Sequence, residues 1–392
     1  MKFFLVLFAF LLIELTAGAD VIKIVSSLPR TGSANGQTTS MVNGIKMAIA
    51  EVGGKIGDYT IAYEDWDDAS PERGQWDPAL EAANAQHAVK DTDVMAYIGT
   101  HNSGAAKISM PILNQAGIVM VSPANTYPGL TKPGTGEANE PAVYRPSGKI
   151  NYFRVVPADD IQGDVAATFA KETGFKKVFI LDDRELYGKG VAGVFERVAK
   201  KLGMTVAGHE GIDAKAANFR SLVTKIKSTG ADLVYFGGTT QSGAGQLAKD
   251  LVAGGAKVKI MMPDGCRETA LIESAGQENL EGRAYVTFGG LPPSQLRGKG
   301  REFYEAYKKK YNAEPEAYAV YGYESGLVAL TGIQRAGKKD REAIRAAVAS
   351  LRDMDGALGK WSFDANGDTS VKVMVVEEIK NGQFVPVKIV GQ

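Results

Sequence analysis

The sequence predicts an α/β protein of two lobes, each built on a doubly wound parallel sheet. Three observations carry this expectation. Short apolar runs alternate with segments of helical periodicity, the pattern of β-α-β-α units whose sheet is covered on both faces. The alternation breaks at 128–152 and then starts again, giving two similar blocks. At 392 residues the chain also exceeds the size at which one core keeps growing, and its 44% hydrophobic and 23% charged residues are ordinary for a globular protein.

Residues 1–19 read as a secretion signal, with Lys2 as the basic start, Phe3 to Ile13 as the apolar core and Ala17-Gly18-Ala19 as the cleavage site. Val21 to Ser27 then reads as a first strand. Met41, Val42, Ile45, Ala48, Ile49 and Val52 recur at helical spacing, and Gly53-Gly54 stops that helix. Tyr59 to Tyr63 reads as a second strand, after which Asp77 as N-cap and Pro78 in the first turn open a helix towards Val89. Strands at 94–98 and 118–121 flank a helix at 105–115. The Pro- and Gly-rich stretch 128–152 reads as a long connection or crossover.

The second block has strands at 178–181, 205–209, 233–236 and 257–262 and helices at 188–202, 218–228 and 243–253. Val286 to Pro293 reads as another crossover, followed by helices at 299–311, 317–336 and 340–350. Trp361 to Phe363, Val371 to Glu378 and Phe384 to Ile389 read as late strands with turns at Asn366-Gly367 and Asn381-Gly382. This pattern predicts lobe 1 from 20–152 with 286–364, and lobe 2 from 153–285 with 365–392.

Charge narrows the function classes. The sequence holds 45 basic and 45 acidic residues, and signal cleavage removes Lys2 and Glu14, leaving no basic excess for phosphates or anionic lipid. Nucleic acid is not an expected partner. No segment after the signal approaches the ~18 apolar residues of a membrane span. The single cysteine, Cys266, excludes an internal disulfide and lies far from the signal end, so no lipid anchor is expected. A soluble exported protein, monomeric and without a cofactor, is the expectation.

Most motifs favour bland readings. Gly188-Lys189-Gly190-Val191-Ala192-Gly193 fits a dinucleotide fingerprint, but six residues separate it from the preceding strand, so it reads as a flexible loop entering a helix. His87, His101 and His209 lack the spacing of a metal site. Asp364, Asn366 and Asp368 resemble half a calcium loop and read instead as a hairpin turn. Asp65, Asp67 and Asp68 around Trp66 read as a solvated turn. No G-x-S-x-G elbow makes Ser103 a nucleophile.

Two loops stand apart. The strand ending at Ile98 runs into Gly99 to Gly104, and that ending at Val121 runs into Ser122 to Gly129, both rich in small hydroxyl and amide residues. Such loops at strand C-termini receive ligands in α/β sheets, and a helix starting near Ser103 leaves its first N–H groups unpaired for an anion. Ser103 and Thr126 are the candidate hydroxyls. Asp264, in Met262-Pro263-Asp264-Gly265, holds the equivalent position in the second block and supplies an anion. A zwitterion would satisfy both ends.

The chain resembles the leucine/isoleucine/valine-type substrate-binding proteins of bacterial ABC transporters over essentially its whole mature length. The matching residues are Asn43-Gly44, Tyr63-x-Asp65, Ile98-Gly99 with Ser103, Ser122-Pro123-x-x-Thr126 with Leu130-Thr131, Tyr187-Gly188-x-Gly190 and Pro263-x-Gly265. The resemblance implies two lobes joined by a three-crossover hinge, capture of an amino acid between them, and delivery to a membrane permease without catalysis. It places the ligand carboxylate on Ser103, with the Ala124 carbonyl and Thr126 completing the first-lobe contacts, Tyr187 reaching in from the second lobe and Asp264 as partner for the ammonium. Gln37 stands where relatives often carry an aromatic residue, and Thr239-Thr240 replaces a bulkier pair. Ser70 and Asn102 occupy the places of a disulfide seen in some relatives. Tyr127, Tyr187, Tyr321 and Tyr323 are candidate walls. The alternatives are an amide, urea-like or aromatic carboxylate ligand, a ligand-sensing receptor subunit, or a nicotinamide oxidoreductase using Gly188 to Gly193.

Overall fold

The computed structural model describes residues 20–391, and the expected signal segment lies outside them. The chain opens with β1 (Val21–Leu28), whose last five residues are all buried, as a central parallel strand requires. There follow α1 (Asn35–Glu51), an edge strand β2 (Lys55–Ile56), β3 (Tyr59–Asp67) and a small ribbon of β4 (Ala69–Ser70) and β5 (Gln75–Trp76). Next come α2 (Pro78–Lys90), β6 (Val94–Gly99), α3 (Ser103–Gln115), β7 (Val119–Ser122) and β8 (Tyr152–Arg154). The first sheet runs β2-β3-β1-β6-β7-β8 and is parallel except at its β2–β3 edge. α2 begins as its cap predicts: the Asp77 carboxylate accepts the N–H groups of Ala79 at 2.8 Å and Leu80 at 3.4 Å.

Two expectations are corrected here. Asp65 and Asp67 belong to β3 rather than to a solvated turn, because β1 pairs with that strand along its whole length. Asp65 holds Arg30 at 3.0 Å, and Asp68 is fully buried. Of the two readings of 128–152, the long connection holds and the crossover does not, because the segment returns to the same sheet as β8, parallel to β7. It is anchored by the buried carboxylate of Glu140, which accepts the Tyr127 hydroxyl at 2.9 Å and the Glu137 N–H at 2.8 Å.

The second lobe comprises α4 (Asp159–Glu172), β9 (Lys177–Asp182), α5 (Leu186–Lys201), β10 (Thr205–Gly211), α6 (Arg220–Thr229), β11 (Leu233–Gly237) and α7 (Ala244–Ala253). β12 (Lys259–Met262), α8 (Thr269–Ala275), α9 (Gln277–Leu280) and β13 (Ala284–Gly289) complete that passage. The chain then crosses back and adds α10 (Gly298–Tyr311), α11 (Ala319–Ala336), α12 (Arg341–Ala349) and the ribbon β14 (Met354–Gly356) and β15 (Gly359–Trp361). A third crossover delivers β16 (Met374–Lys380) and β17 (Gln383–Val390) to the second sheet, ordered β10-β9-β11-β12-β13-β16-β17, with these last two strands antiparallel. The crossovers follow Arg154 and Gly289, later than the 152 and 285 read from sequence, because β8 pairs with β7 and β13 with β12.

α1 and α11 meet backbone to backbone. A Cβ on Gly44 would stand 2.2 Å from the Ala319 carbonyl oxygen, and one on Gly322 2.2 Å from that of Met41. Glycine is what lets these helices cross so closely. Their contact fixes the third passage of chain onto the first lobe, and with it the position of Tyr318 at the start of α11.

Candidate ligand-binding site

The first-lobe half of the site is assembled from two strand ends. Ser103 is the first residue of α3, and the preceding Asn102 supplies no side-chain cap; the Ala105 and Ala106 N–H groups donate to the Asn102 carbonyl, which leaves the Ser103 and Gly104 N–H groups as the donors of this helix start that could face a ligand. Ser122 Oγ folds the neighbouring loop by accepting the N–H groups of Ala124 at 3.2 Å and Asn125 at 2.9 Å. The Tyr127 N–H donates to Ser103 Oγ at 3.3 Å, which ties that loop to the helix start. Beneath it lies Arg154, fully buried, which donates to the Tyr127 carbonyl at 2.9 Å and the Asn125 carbonyl at 3.3 Å and pairs with Asp368 at 2.7 Å. The Thr126 hydroxyl is buried beside the Asp159 carboxyl.

The second-lobe half is a buried carboxylate held by neutral donors. Asp264 opens a short 3₁₀ turn, Asp264–Cys266, after β12. Its Oδ1 accepts the Tyr187 hydroxyl and the Gln162 Nε2–H, the latter at 2.7 Å, and its Oδ2 accepts the Tyr318 hydroxyl. Gln162 Nε2 also donates to Asp159 Oδ1 at 2.7 Å, and Gln162 Oε1 accepts the Asp264 N–H at 3.0 Å and the Thr287 hydroxyl at 2.8 Å. Burial pushes the Asp159 carboxyl well above the usual carboxylate range, and the charge of Asp264 adds to the shift. Burial likewise raises the Tyr187 and Tyr318 phenols, reinforced by the charge of Asp264.

The lobes touch directly across this site. Gln37 Nε2 donates to the Arg267 carbonyl at 3.3 Å, and its Oε1 lies 2.7 Å from His101 Nε2. Burial lowers the pKa of that imidazole, favouring the neutral ring. Tyr318, on the first lobe, reaches Asp264 on the second. The Tyr127 ring faces Gly190 of α5 so closely that a Cβ there would stand 2.6 Å from the ring.

The structure brings together Ser103, Ala124 and Thr126 on one side and Tyr187, Thr239 and Asp264 on the other. Thr239 flanks the Asp264 turn, since a Cβ on Gly265 would meet both Thr239 and Tyr187 at about 3 Å. Tyr321 is fully buried on α11 beside Tyr318, with 5.8 Å between the ring centroids. Its hydroxyl donates to the Gly289 carbonyl at 2.5 Å in the hinge. Tyr323 points away to Glu51 at 2.6 Å, because the α11 face it occupies packs on α1. The glycine-rich stretch at 188–193 is part of α5 rather than a loop, and a Cβ on Gly188 would strike Asp183 and the Gly237 carbonyl. Asp364 closes a tight turn by accepting the N–H groups of Asn366 and Asp368. Cys266 is fully buried, and burial holds its thiol well above its ordinary pKa. Among the described residues no acidic, histidine or cysteine cluster suits a metal, and no helix is long and apolar enough to cross a membrane.

Tyr318, Asp159, Gln162 and Arg154 were not legible as site residues. Asp159 and Gln162 had a faint signal, a polar i, i+3 pair opening a helix after Pro157. Tyr318 and Arg154 had none, since their partners lie 54 and 214 residues away.

Residues 21–383 match the family model described as periplasmic binding protein. The chain belongs to that family. A curated relative, the Leu/Ile/Val-binding protein homolog 2 of Brucella abortus, is 30% identical over 94% of this chain and 92% of its own length. Among solved structures, the leucine binding protein LivK of Thermotoga maritima superposes with a TM-score of 0.83 at 27% identity, covering 94% of this chain and 98% of that one. The branched-chain amino acid transporter substrate binding protein LivJ of Streptococcus pneumoniae, in complex with isoleucine, gives 0.81 at 25% identity, covering 94% and 100%. Three passages of chain link the two sheets, and the candidate site lies between them.

Proposed function

We propose that this periplasmic binding protein captures a small neutral amino acid, branched-chain or similar, between its lobes and presents it to an ABC transporter permease, with no chemical step. The observation that carries this reading is Asp264. It is a buried carboxylate whose hydrogen-bond donors are two tyrosines and an amide, and no basic side chain forms an ion pair with it among the described residues. A buried charge without a counter-charge is costly, and a ligand ammonium supplies one. The α3 N-terminus with the Ser103 and Thr126 hydroxyls would take the ligand carboxylate, and the Ala124 carbonyl would accept a hydrogen bond from the ammonium. Closure of the hinge would bury the ligand and display the face that the permease recognises. The protein works in this reading as an exported periplasmic monomer.

The relatives that bind leucine or isoleucine support the substrate class. Gln37 and His101, hydrogen-bonded to each other at the cleft, add a polar surface that suits small side chains such as threonine or alanine as well. An amide, urea-like compound or aromatic carboxylate would leave Asp264 without its partner. A receptor subunit of the same fold would bind the same ligand and differ only in what it contacts next.

The test is thermal unfolding of the mature chain, freed of carried-over ligand by refolding, against the common amino acids and matched acids and amides lacking the α-ammonium. A ligand at about 100 times its Kd adds ~2.7 kcal/mol and raises the midpoint by a few degrees. Shifts confined to amino acids are expected. Shifts with the acids or amides alone would overturn the reading.

A further inference from the structure

We propose that a cavity beside the hinge is a second binding site, for a small aromatic monocarboxylate whose ring lies inside and whose carboxylate meets Arg297. None of the residues assigned above to the amino acid lines it.

The cavity measures about 220 Å³ and lies where the second and third crossovers pass between the lobes. α10, α11 and the β14–β15 turn wall it from the first lobe, Arg267 and β16 from the second, and the crossover residues Gly289 to Pro293 run along it. Leu291, Leu296, Tyr304, Val320, Leu358 and Val371 are half-buried on its lining, so apolar surface is gathered in one concave place rather than scattered singly. A dry cavity of about 150 Å³ with aliphatic and aromatic walls accepts benzene, so this one has room for a phenyl ring with a short chain. The rings of Phe288, Phe303, Tyr304 and Tyr321 on its lining suit an aromatic occupant.

The charged groups on the lining decide the polarity of that occupant. Arg267 is spent on Glu377, at 2.7 and 3.1 Å, and Glu316 Oε1 accepts the Thr269 N–H at 3.2 Å. Arg297 is exposed, donates to its neighbour's Leu296 carbonyl at 3.0 Å and forms no ion pair among the described residues. The bases that follow it are engaged, Lys299 with Asp355 at 2.9 Å and Arg301 with Glu305 at 2.7 Å. Arg297 also holds the N-cap position of α10, so the positive end of that helix adds to its charge. A carboxylate at the end of a short chain would meet this unpaired guanidinium while its ring stays on the apolar walls.

The experiment is a ligand-observed NMR titration of the mature chain with 3-phenylpropanoate, 3-phenylpropan-1-ol and 3-phenylpropylamine, for the wild type, Arg297→Gln, Val320→Phe and Asp264→Asn. The wild type should bind the acid saturably with a Kd below about 1 mM, and the alcohol and amine about fivefold more weakly. Arg297→Gln should weaken the acid by about fivefold and erase its preference over the alcohol, Val320→Phe should abolish binding by filling the cavity, and Asp264→Asn should leave it unchanged. No saturation by about 10 mM, or an amine bound as tightly as the acid, overturns the inference. So does acid binding that is lost in Asp264→Asn and unchanged in Arg297→Gln, which would place the probe in the cleft. The wild-type and Arg297→Gln titrations decide the matter if Val320→Phe does not fold, because Arg297 is exposed. Failure of this site leaves the amino-acid reading intact, since that reading is tested with amino acids on other residues.

Discussion

Replacing Tyr318 by phenylalanine tests the link between the binding residues and lobe closure. Tyr318 caps the start of α11 on the first lobe, and its hydroxyl donates to Asp264 Oδ2 on the second. The two other side chains on that carboxylate, Tyr187 and Gln162, come from the second-lobe helices. Phenylalanine keeps the ring packing, with Phe288 at 5.1 Å, Tyr321 at 5.8 Å and His101 at 6.2 Å between ring centroids, and deletes the hydroxyl alone. A hydrogen bond to a charged group contributes about 1.5–3 kcal/mol, and this one forms only when the lobes meet. Amino-acid binding should therefore weaken by about 2 kcal/mol, or roughly 30-fold in Kd. Calorimetry measures the Kd, thermal unfolding of the ligand-free protein should show a small change, and solution scattering should show a more open average shape. An affinity within about threefold of the wild type would refute the idea that this bond favours closure.

Other outcomes follow from the same geometry. Asp264→Asn should weaken amino-acid binding by about 2–4 kcal/mol, since it leaves a buried ammonium without its counter-charge, and Ser103→Ala by about 1–2 kcal/mol, since backbone donors remain. A larger calorimetric loss at Ser103 would reverse the weight given to the two ends of the ligand. Gly190→Ala places a Cβ 2.6 Å from the Tyr127 ring on the opposite lobe, so it should lower affinity without lowering the ligand-free unfolding midpoint. A midpoint that fell with unchanged affinity would place the clash inside one lobe instead. His209 sits 3.2 Å from Asp182 and 2.7 Å from Glu196, and these carboxylates, Asp182 foremost, raise its pKa above the ordinary 6.5. Its stabilising contribution should be complete below about pH 6.5 and fade as pH rises through the raised folded value. His209→Gln should remove that part of the pH dependence of the unfolding midpoint, which sets in above the ordinary histidine pKa.

Much of the fold was legible because its signals are local. The buried parallel strands are continuous apolar runs, and Asp77-Pro78 announces α2 by its own chemistry. The Ser103 and Thr126 loops were visible because a strand end followed by small polar residues is itself a local pattern. Errors arose where a partner elsewhere overrode local composition. Asp65 and Asp67 look like turn residues but are carried in a strand by β1, and the glycines at 188 and 190 look like a loop but let α5 approach the sheet and Tyr127.

The sequence by itself determined the two-lobed α/β class, the hydroxyl loops and the acidic residue opposite them, because strand periodicity, helix caps and side-chain chemistry are properties of neighbouring residues. Only the tertiary structure decided which tyrosine of the α11 stretch joins Tyr187 on that acid. Tyr318, Tyr321 and Tyr323 share one short stretch of chain, and their fates differ because the glycine-mediated contact of α1 with α11 sets the rotation of that helix. The pairing of Asp159 with Asp264 through Gln162 is likewise a product of the crossover, which places residues 102 positions apart within one hydrogen bond of each other.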